Sequence, residues 1–449
     1  MKLDEISKIT ILGLGKSGMA SARFFKNKGV EIFASDSGNP DSKVLEELHK
    51  LGIPYEIGVH TEKIFHSDLI IVSPGIDARH SVLITAQKRK IPVWPEIEAA
   101  YHFCPCPIIA ITGTNGKSTA AALVAHLMKS AGRDARLVGN IGIPLLEEIP
   151  TLSSGSWAVM ETSSFQLETI TSFRPKISCI LNITQDHLNR HPDLRTYIQA
   201  KAKIMENQRM EDTAVLNKDD PVIRSLAEKA KANILWFGEG EIYVEGNQIV
   251  REYGGTKEIL AQFEKFQLQG KHNLNNLAAA AAVSIAAGLT PPIKGIETFT
   301  GLSHRLEFVK TIHGVEFWDD SKATNPNSAA SALRTFSKPV ILIAGGSEKG
   351  LDFSPLVQAA AGRVKALIAL GRENLKILQA FSYLEKSSMI EAREMKKAVL
   401  EAFKRAAPGD IVLLSPACAS FDLFHSAEER GDFFKRAVQE LHLGELNEI

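Results

Sequence analysis

Gly113-Thr114-Asn115-Gly116-Lys117-Ser118-Thr119 follows the apolar run Ile108–Thr112 and leads into a helical stretch, Ala120–Ser130. Each residue type in that string has a reason to be there if the ligand is a phosphate. Gly113 and Gly116 allow a loop whose N–H groups turn inward onto phosphate oxygens. Lys117 adds a point charge at the β and γ phosphates, and Ser118 can set its hydroxyl on a magnesium ion. The general phosphate-loop pattern has a glycine at position 111, where this chain has Ile111. The loop is therefore a variant whose strand–loop–helix context is intact.

Two later residues join this chemistry if they share its edge. Glu161 ends the apolar run Trp157–Met160, and His187 follows Ile177–Ile183. In a parallel sheet the C-terminal strand ends line one edge, and ligands bind there. Ser118, Glu161 and His187 are expected to converge on it. Taken singly, a strand-end glutamate is a solvated carboxylate and a histidine near a turn is a cap. Magnesium prefers oxygen ligands, which makes His187 an unusual one.

A second glycine string, Gly13-Leu14-Gly15-Lys16-Ser17-Gly18, lies between an apolar run and a helical stretch, and Asp36 stands 18 residues past its last glycine. Such a turn seats a diphosphate on a helix N-terminus, with the acid on a ribose. A bare βα turn, an NAD site and a site for another nucleotide all fit it. A third set of polar, small-residue loops follows predicted strands further on: Gly301–Glu307, Asp319–Asn325 after Val315–Trp318, Gly345–Gly350 after Val340–Ala344, and Ser415–Asp422 after Ile411–Leu414. Arg305, Lys322 and Lys349 supply local positive charge for a phosphate or carboxylate. One such lysine is as easily a solvated surface charge; three loops on one edge are a site.

The elements that must position these residues read as α/β throughout. Strand-like runs at 9–14, 31–35, 68–73, 107–112, 156–162, 177–183, 338–344, 364–370 and 410–414 alternate with helix-period stretches. That alternation predicts parallel sheets covered by helices. Residues 238–255 read as hairpin or loop, and the Ala-rich 277–289 as a buried helix, too short to span a bilayer. Seams near 94–98 and 301–304 divide the 449 residues into three domains, 1–96, 97–301 and 302–449. Lys plus Arg equal Asp plus Glu at 52 each, which argues against a nucleic-acid partner held by a large positive field. Four cysteines make no disulfide framework. Cys104 and Cys106 flank Pro105 with no His/Cys cluster to complete a zinc site, while Cys179 and Cys418 read as small buried hydrophobes. With no signal peptide in Met1–Lys8 and no spanning segment, a cytoplasmic protein is expected.

Together these strings resemble the Mur ligases, ATP-dependent amino-acid ligases of peptidoglycan precursor synthesis, over essentially the whole chain and in order. The phosphate loop is shared with the wider superfamily, including folylpolyglutamate synthases. The run Asp320-Ser321-Lys322-Ala323-Thr324-Asn325, with His304-Arg305 before it and Ser415–Ser420 after it, is similar to the family's D-glutamate-adding members. The resemblance implies an N-terminal Rossmann-like domain for UDP rather than NAD, a central P-loop ATPase-like sheet, and a C-terminal Rossmann-like domain. It implies Ser17, Asp36, Ser37 and Gly75 near UDP, and Asn140 on the muramoyl substrate. Gly113 to Thr119 would hold ATP phosphates, with Asn273, Asn276, Arg305 and Asp320 on its adenosine side. Lys322, Thr324, Lys349 and Ser420 would hold D-glutamate. Two magnesium ions are implied, one on Ser118 and Glu161, the other on His187 and a carbamylated lysine. That lysine is expected at Lys201, with Lys203 as competitor. Members of the family often carry an aromatic residue where this chain has Ala427; a backbone contact would leave the role intact.

The implied substrates are small molecules, UDP-N-acetylmuramoyl-L-alanine and D-glutamate, and a monomer is expected, with a hinge near 301–304. A sibling ligase for another amino acid is the nearest alternative. A dehydrogenase read from the first glycine string leaves the phosphate loop unexplained, and a nucleotide-gated binding module without chemistry is the third reading.

Overall fold

The computed structural model describes residues 6–184, 190–268, 270–347, 352–371 and 374–441. Three sheets follow one another along the chain. The first holds β1 (Lys8–Leu12), β2 (Glu31–Asp36), β3 (Tyr55–Ile57), β4 (Leu69–Val72) and β5 (Val93–Pro95) in the order β3-β2-β1-β4-β5, every pair parallel. All four residues of β4 are buried, as expected of a strand covered on both faces. The order reverses at β1, and the Gly13 turn lies at that switch point, where an α/β sheet opens a crevice.

The second sheet contains β6 (Ile108–Thr112), β7 (Ala135–Gly139), β8 (Trp157–Glu161), β9 (Ile177–Ile180), β10 (Thr213–Asn217), β11 (Asn233–Phe237), β12 (Ile242–Glu245), β13 (Gln248–Tyr253) and β14 (Thr256–Gln262). Its order is β14-β13-β12-β11-β10-β9-β6-β8-β7. Strands β6 to β12 pair in parallel, and β12-β13-β14 form an antiparallel meander that accounts for the hairpin reading of 238–255. The switch point is β6, between β8 and β9, and the phosphate loop leaves from its end. The Ala-rich segment is the helix Lys271–Ala286, buried along most of its length.

The helix Glu96–Phe103 carries the chain from the first sheet to the second. Two buried glutamates fasten it. Glu96 accepts the Leu146 N–H at 2.8 Å, and burial pushes its pKa up to about 7. Glu98 accepts the backbone N–H groups of Thr171, Ser172 and Phe173 and both hydroxyls of Thr171 and Ser172. Burial of a carboxylate is tolerated when its oxygens are filled in this way.

Residues 1–300 form one compact unit and 301–449 another. The second unit is built on β15 (Glu307–Ile312), β16 (Val315–Asp319), β17 (Val340–Ala344), β18 (Val364–Leu370), β19 (Met389–Ala392) and β20 (Ile411–Leu414), in the order β15-β16-β20-β17-β18-β19. Only β15 runs antiparallel. The ends of β16, β20 and β17 are therefore neighbours, which brings the loops after them to one edge. No helix among the described residues is long and apolar enough to cross a membrane.

Candidate active site

The phosphate loop is assembled by its neighbours. Gly116, at φ +83°, ends the loop and starts the helix Lys117–Ser130; a Cβ there would run into the Asn276 amide. Only glycine fits a left-handed residue packed so closely. Asn182, just past β9, grips the loop from the other side: its Oδ1 accepts the Asn115 N–H at 2.8 Å and its Nδ2 donates to the Asn115 carbonyl at 3.0 Å. Thr114 accepts the Thr184 N–H and lies 3.2 Å from the Tyr197 hydroxyl. Lys117 folds back, donating to the carbonyls of Gly113 and Thr114 at 2.9 and 2.8 Å. Those carbonyls hold the ammonium over the cradle that a phosphate would share.

Glu161 stands beside the loop because β8 pairs with β6, Ile111 opposite Glu161. It is 3% exposed. One oxygen accepts the Asn140 amide at 2.9 Å, while the other, Oε2, is buried with no hydrogen-bond partner among the described residues. An orphaned buried carboxylate oxygen is costly, and a cation is the group that relieves the cost. Ser118, 4% exposed in the first turn of the helix after the loop, and Glu161 thus fit a hard metal. Asn140 reaches this carboxylate from the turn after β7.

The two candidate lysines separate cleanly. Lys201, 1% exposed on the helix Leu194–Ala202, points at the phosphate loop: its Nζ donates to the Gly113 carbonyl at 2.8 Å and stands 4.6 Å above the Tyr197 ring. Lys203 turns elsewhere and donates to the Glu168 carbonyl at 2.6 Å. His187 lies outside the described residues.

At the first glycine turn, Asp36 accepts the Leu14 N–H at 2.7 Å and the Gly38 N–H at 2.8 Å. It sits at the crevice and braces the turn itself. Ser17 is half-buried in the following helix, and Ser37, just past β2, and Gly75, past β4, are exposed in the loops on either side of β1. Asn273 and Asn276 are buried on one helix face, joined by a 3.2 Å hydrogen bond.

In the second unit, Asp320 is buried after β16 and accepts the Ser415 hydroxyl at 2.8 Å. Desolvation pushes its pKa up to about 7. Arg305 Nε is buried with no hydrogen-bond partner among the described residues. Lys322 lies 3.4 Å from Glu428, Thr324 is exposed, and Ser420 is buried after β20. Ala427 opens the helix Ala427–Gln439, and its carbonyl accepts the Ser321 hydroxyl at 2.7 Å. Lys349 lies outside the described residues.

Two arginines escaped the sequence reading. Arg430, 1% exposed, donates to Ser321 Oγ, Ser321 O and Cys418 O at 2.9, 2.8 and 3.1 Å. It ties the loop carrying Lys322 to the loop carrying Ser420, and desolvation lowers its pKa to about 10. The signal was available: Arg430 shares a helical stripe with Phe434 and Ala437, the buried face of that helix. Arg190 donates to the Gly75 and Ile76 carbonyls and pairs with Glu168 at 2.7 Å, clipping the first sheet's loop to the second sheet. No pattern in its own stretch announces it.

Comparison with known proteins agrees with this layout. Residues 7–94 match the Mur ligase MurD-like N-terminal domain, 111–284 the Mur ligase middle domain, and 304–418 the Mur ligase glutamate ligase domain. The chain is 41% identical to a UDP-N-acetylmuramoylalanine–D-glutamate ligase of Thermoanaerobacter pseudethanolicus, over 97% of this chain and 98% of that protein. The ligase of the same name from Clostridioides difficile is 39% identical over the same shares. Among solved structures, the fold is similar to UDP-N-acetylmuramate-alanine ligase MurC from Thermotoga maritima, with a TM-score of 0.60 at 19% identity, covering 97% of this chain and 99% of that one. It is also similar to MurF ligase from Thermotoga maritima, solved in complex with ADP, with a TM-score of 0.59 at 17% identity over 97% and 96% of the two chains. The chain belongs to the Mur ligase family.

Proposed function

We propose that this protein is an ATP-dependent ligase that joins D-glutamate to UDP-N-acetylmuramoyl-L-alanine in peptidoglycan precursor synthesis, releasing ADP and phosphate. The observation that carries the reading is the 41% identity, end to end, with ligases of that name. The reaction has two steps. The L-alanine carboxylate of the UDP-substrate attacks the γ-phosphate of ATP, giving an acyl phosphate and ADP. The amine of D-glutamate then attacks the acyl carbon, and the tetrahedral intermediate expels phosphate to leave an amide.

Phosphoryl transfer asks the protein for positioning and charge neutralisation. Residues 113–119 hold the ATP phosphates, and Lys117 leaves the Gly113 and Thr114 carbonyls to meet their charge. Asn273 and Asn276, with Arg305 and Asp320, act toward the rest of ATP. Magnesium, when bound by Ser118 and Glu161 and by His187 and Lys201, supplies further neutralisation of phosphate oxygens. Lys201 is the lysine proposed to be carbamylated, because it and not Lys203 reaches the loop. A carbamate keeps one N–H, which preserves the donor to Gly113, and adds the oxygens magnesium favours. Ser17, Asp36, Ser37, Gly75 and Asn140 act on the UDP-substrate. Lys322, Thr324, Lys349 and Ser420 act on D-glutamate. The division into 1–96, 97–301 and 302–449 assigns one domain to each substrate. A cytoplasmic monomer is proposed.

Lys117→Ala tests the assignment of the loop. It should abolish ATP-dependent turnover while UDP-substrate affinity, measured by calorimetry, stays within about threefold, because that substrate's candidate contacts are elsewhere. Retained ligase activity would sink the loop's role.

A further inference from the structure

Cys104, Pro105 and Cys106 lie between the helix Glu96–Phe103 and β6, the strand that ends in the phosphate loop. The proposed ligase chemistry uses neither thiol. The two sulfurs are 3.6 Å apart, and the Cys104 sulfur also lies 3.4 Å from the Cys106 carbonyl oxygen. Cys104 is half-buried and Cys106 is 8% exposed. One thiol is reachable and the other waits behind it. Among the described residues, neither belongs to a group of three His, Cys, Asp or Glu ligand atoms that could hold a metal, so those residues offer the pair no tetrahedral zinc site. Cys179, on β9, and Cys418, after β20, are fully buried.

We propose that Cys104 and Cys106 form a redox-active dithiol, closed to an intramolecular disulfide by exchange with a low-molecular-weight disulfide. The Cys104 thiolate attacks one sulfur of the small disulfide. That S–S bond breaks, one small thiolate leaves and takes a proton, and a mixed disulfide remains on Cys104. Cys106 gives its proton to solvent and attacks the Cys104 sulfur. The mixed bond breaks and the second small thiolate leaves, protonated. Two protein thiols are oxidised and one small disulfide is reduced to two thiols.

The order of events follows from the asymmetry of the pair. Hydrogen bonding between the two side chains pulls the Cys104 pKa down to about 7, while the same pairing, with burial, raises Cys106. The reachable sulfur is thus the one present as thiolate. Closure brings the sulfurs from 3.6 Å to the bonding distance of about 2.05 Å. With only Pro105 enclosed, the ring gains little from chain entropy. The bond is therefore expected to be readily reduced, as labile disulfides are.

The test treats the reduced, full-length protein with oxidised glutathione and follows intact mass and peptide maps. The expected product is lighter by two hydrogens, retains no glutathione, links Cys104 to Cys106, and returns to the starting mass with dithiothreitol. Cys106→Ser, or Cys106→Ala if the serine variant folds poorly, should hold one glutathione on Cys104. Cys104→Ser should react at least about tenfold more slowly. A wild-type protein that keeps glutathione on Cys104, a disulfide joining other cysteines, no reaction, or a Cys104→Ser variant reacting at the wild-type rate would each overturn the proposal.

Discussion

Replacing Asp320 by Asn should stabilise the protein at about pH 8 and leave it nearly unchanged near pH 4. Asp320 is 7% exposed. Its carboxylate takes the Ser415 hydroxyl at 2.8 Å and the Leu306 N–H at 3.3 Å. Desolvation outweighs those hydrogen bonds and the nearby Arg305 charge, and the pKa rises from 3.8 to about 7. A folded-state pKa above the unfolded one means that the folded protein holds a proton the unfolded chain has released. Stability from this group is thus fully present below about pH 4 and is lost as pH climbs through about 7. Three pKa units correspond to about 4 kcal/mol, a ceiling on the loss. Asparagine has no charge to desolvate, and its amide can still serve both partners, with the Ser415 hydroxyl turning to accept. Urea unfolding across a pH series measures the gap between the two proteins. Trp318, adjacent to this loop, is the one tryptophan in 301–449 and gives a local fluorescence signal. The gap should widen with pH by up to about 4 kcal/mol. A gap that stays constant between about pH 5 and pH 8, or narrows, would refute the argument that desolvation dominates at Asp320.

Lys201→Ala should be inactive but partly rescued by added short carboxylates, which can replace carbamate oxygens, while Lys203→Ala should keep most turnover; steady-state rates with and without acetate decide. Arg430→Met should lower kcat/KM for D-glutamate at least about tenfold and leave UDP-substrate affinity unchanged, with Arg430→Lys recovering part of the loss, since a buried guanidinium spanning two loops is replaced only in part by an ammonium. Gly116→Ala should cost about 1–2 kcal/mol for the left-handed backbone alone, lower the melting temperature and abolish ADP binding by calorimetry, because the added methyl also meets Asn276.

The strands that carry chemistry were legible because they are buried on both faces. Runs such as Ile108–Thr112 and Val340–Ala344 are continuous and apolar, and that composition has few other uses. Short edge strands were not read. Tyr55–Ile57 and Val93–Pro95 are three residues each, so no period can develop in them. The strand expected over 177–183 ends at Ile180. Asn182 and Thr184 leave the ladder to hold the phosphate loop. The strand expected over 9–14 likewise ends at Leu12, since Gly13 turns at φ +84° against Ser73.

The site was legible where chemistry and glycine coincide, as at residues 113–119, and in the strand-end position of Glu161. Contacts between distant segments were not. Asn140 on Glu161, Lys201 rather than Lys203 on the loop, and Asp36 bracing its own turn depend on which side chains the sheets bring together. Buried arginines are the clearest case. Arg430 stands beside Glu428 and Glu429 in the sequence, as a surface residue would, yet its helix turns it inward onto two loop carbonyls.

A ligase of this kind couples ATP cleavage to amide formation with one particular amino acid. Phosphate release, measured with ATP, magnesium, UDP-N-acetylmuramoyl-L-alanine and a panel of amino acids, tests it most directly. Rapid release is expected with D-glutamate, little with L-glutamate, L-alanine or a diamino acid, and none when the UDP-substrate is left out. Release that proceeds equally with another amino acid, or without the UDP-substrate, would contradict it.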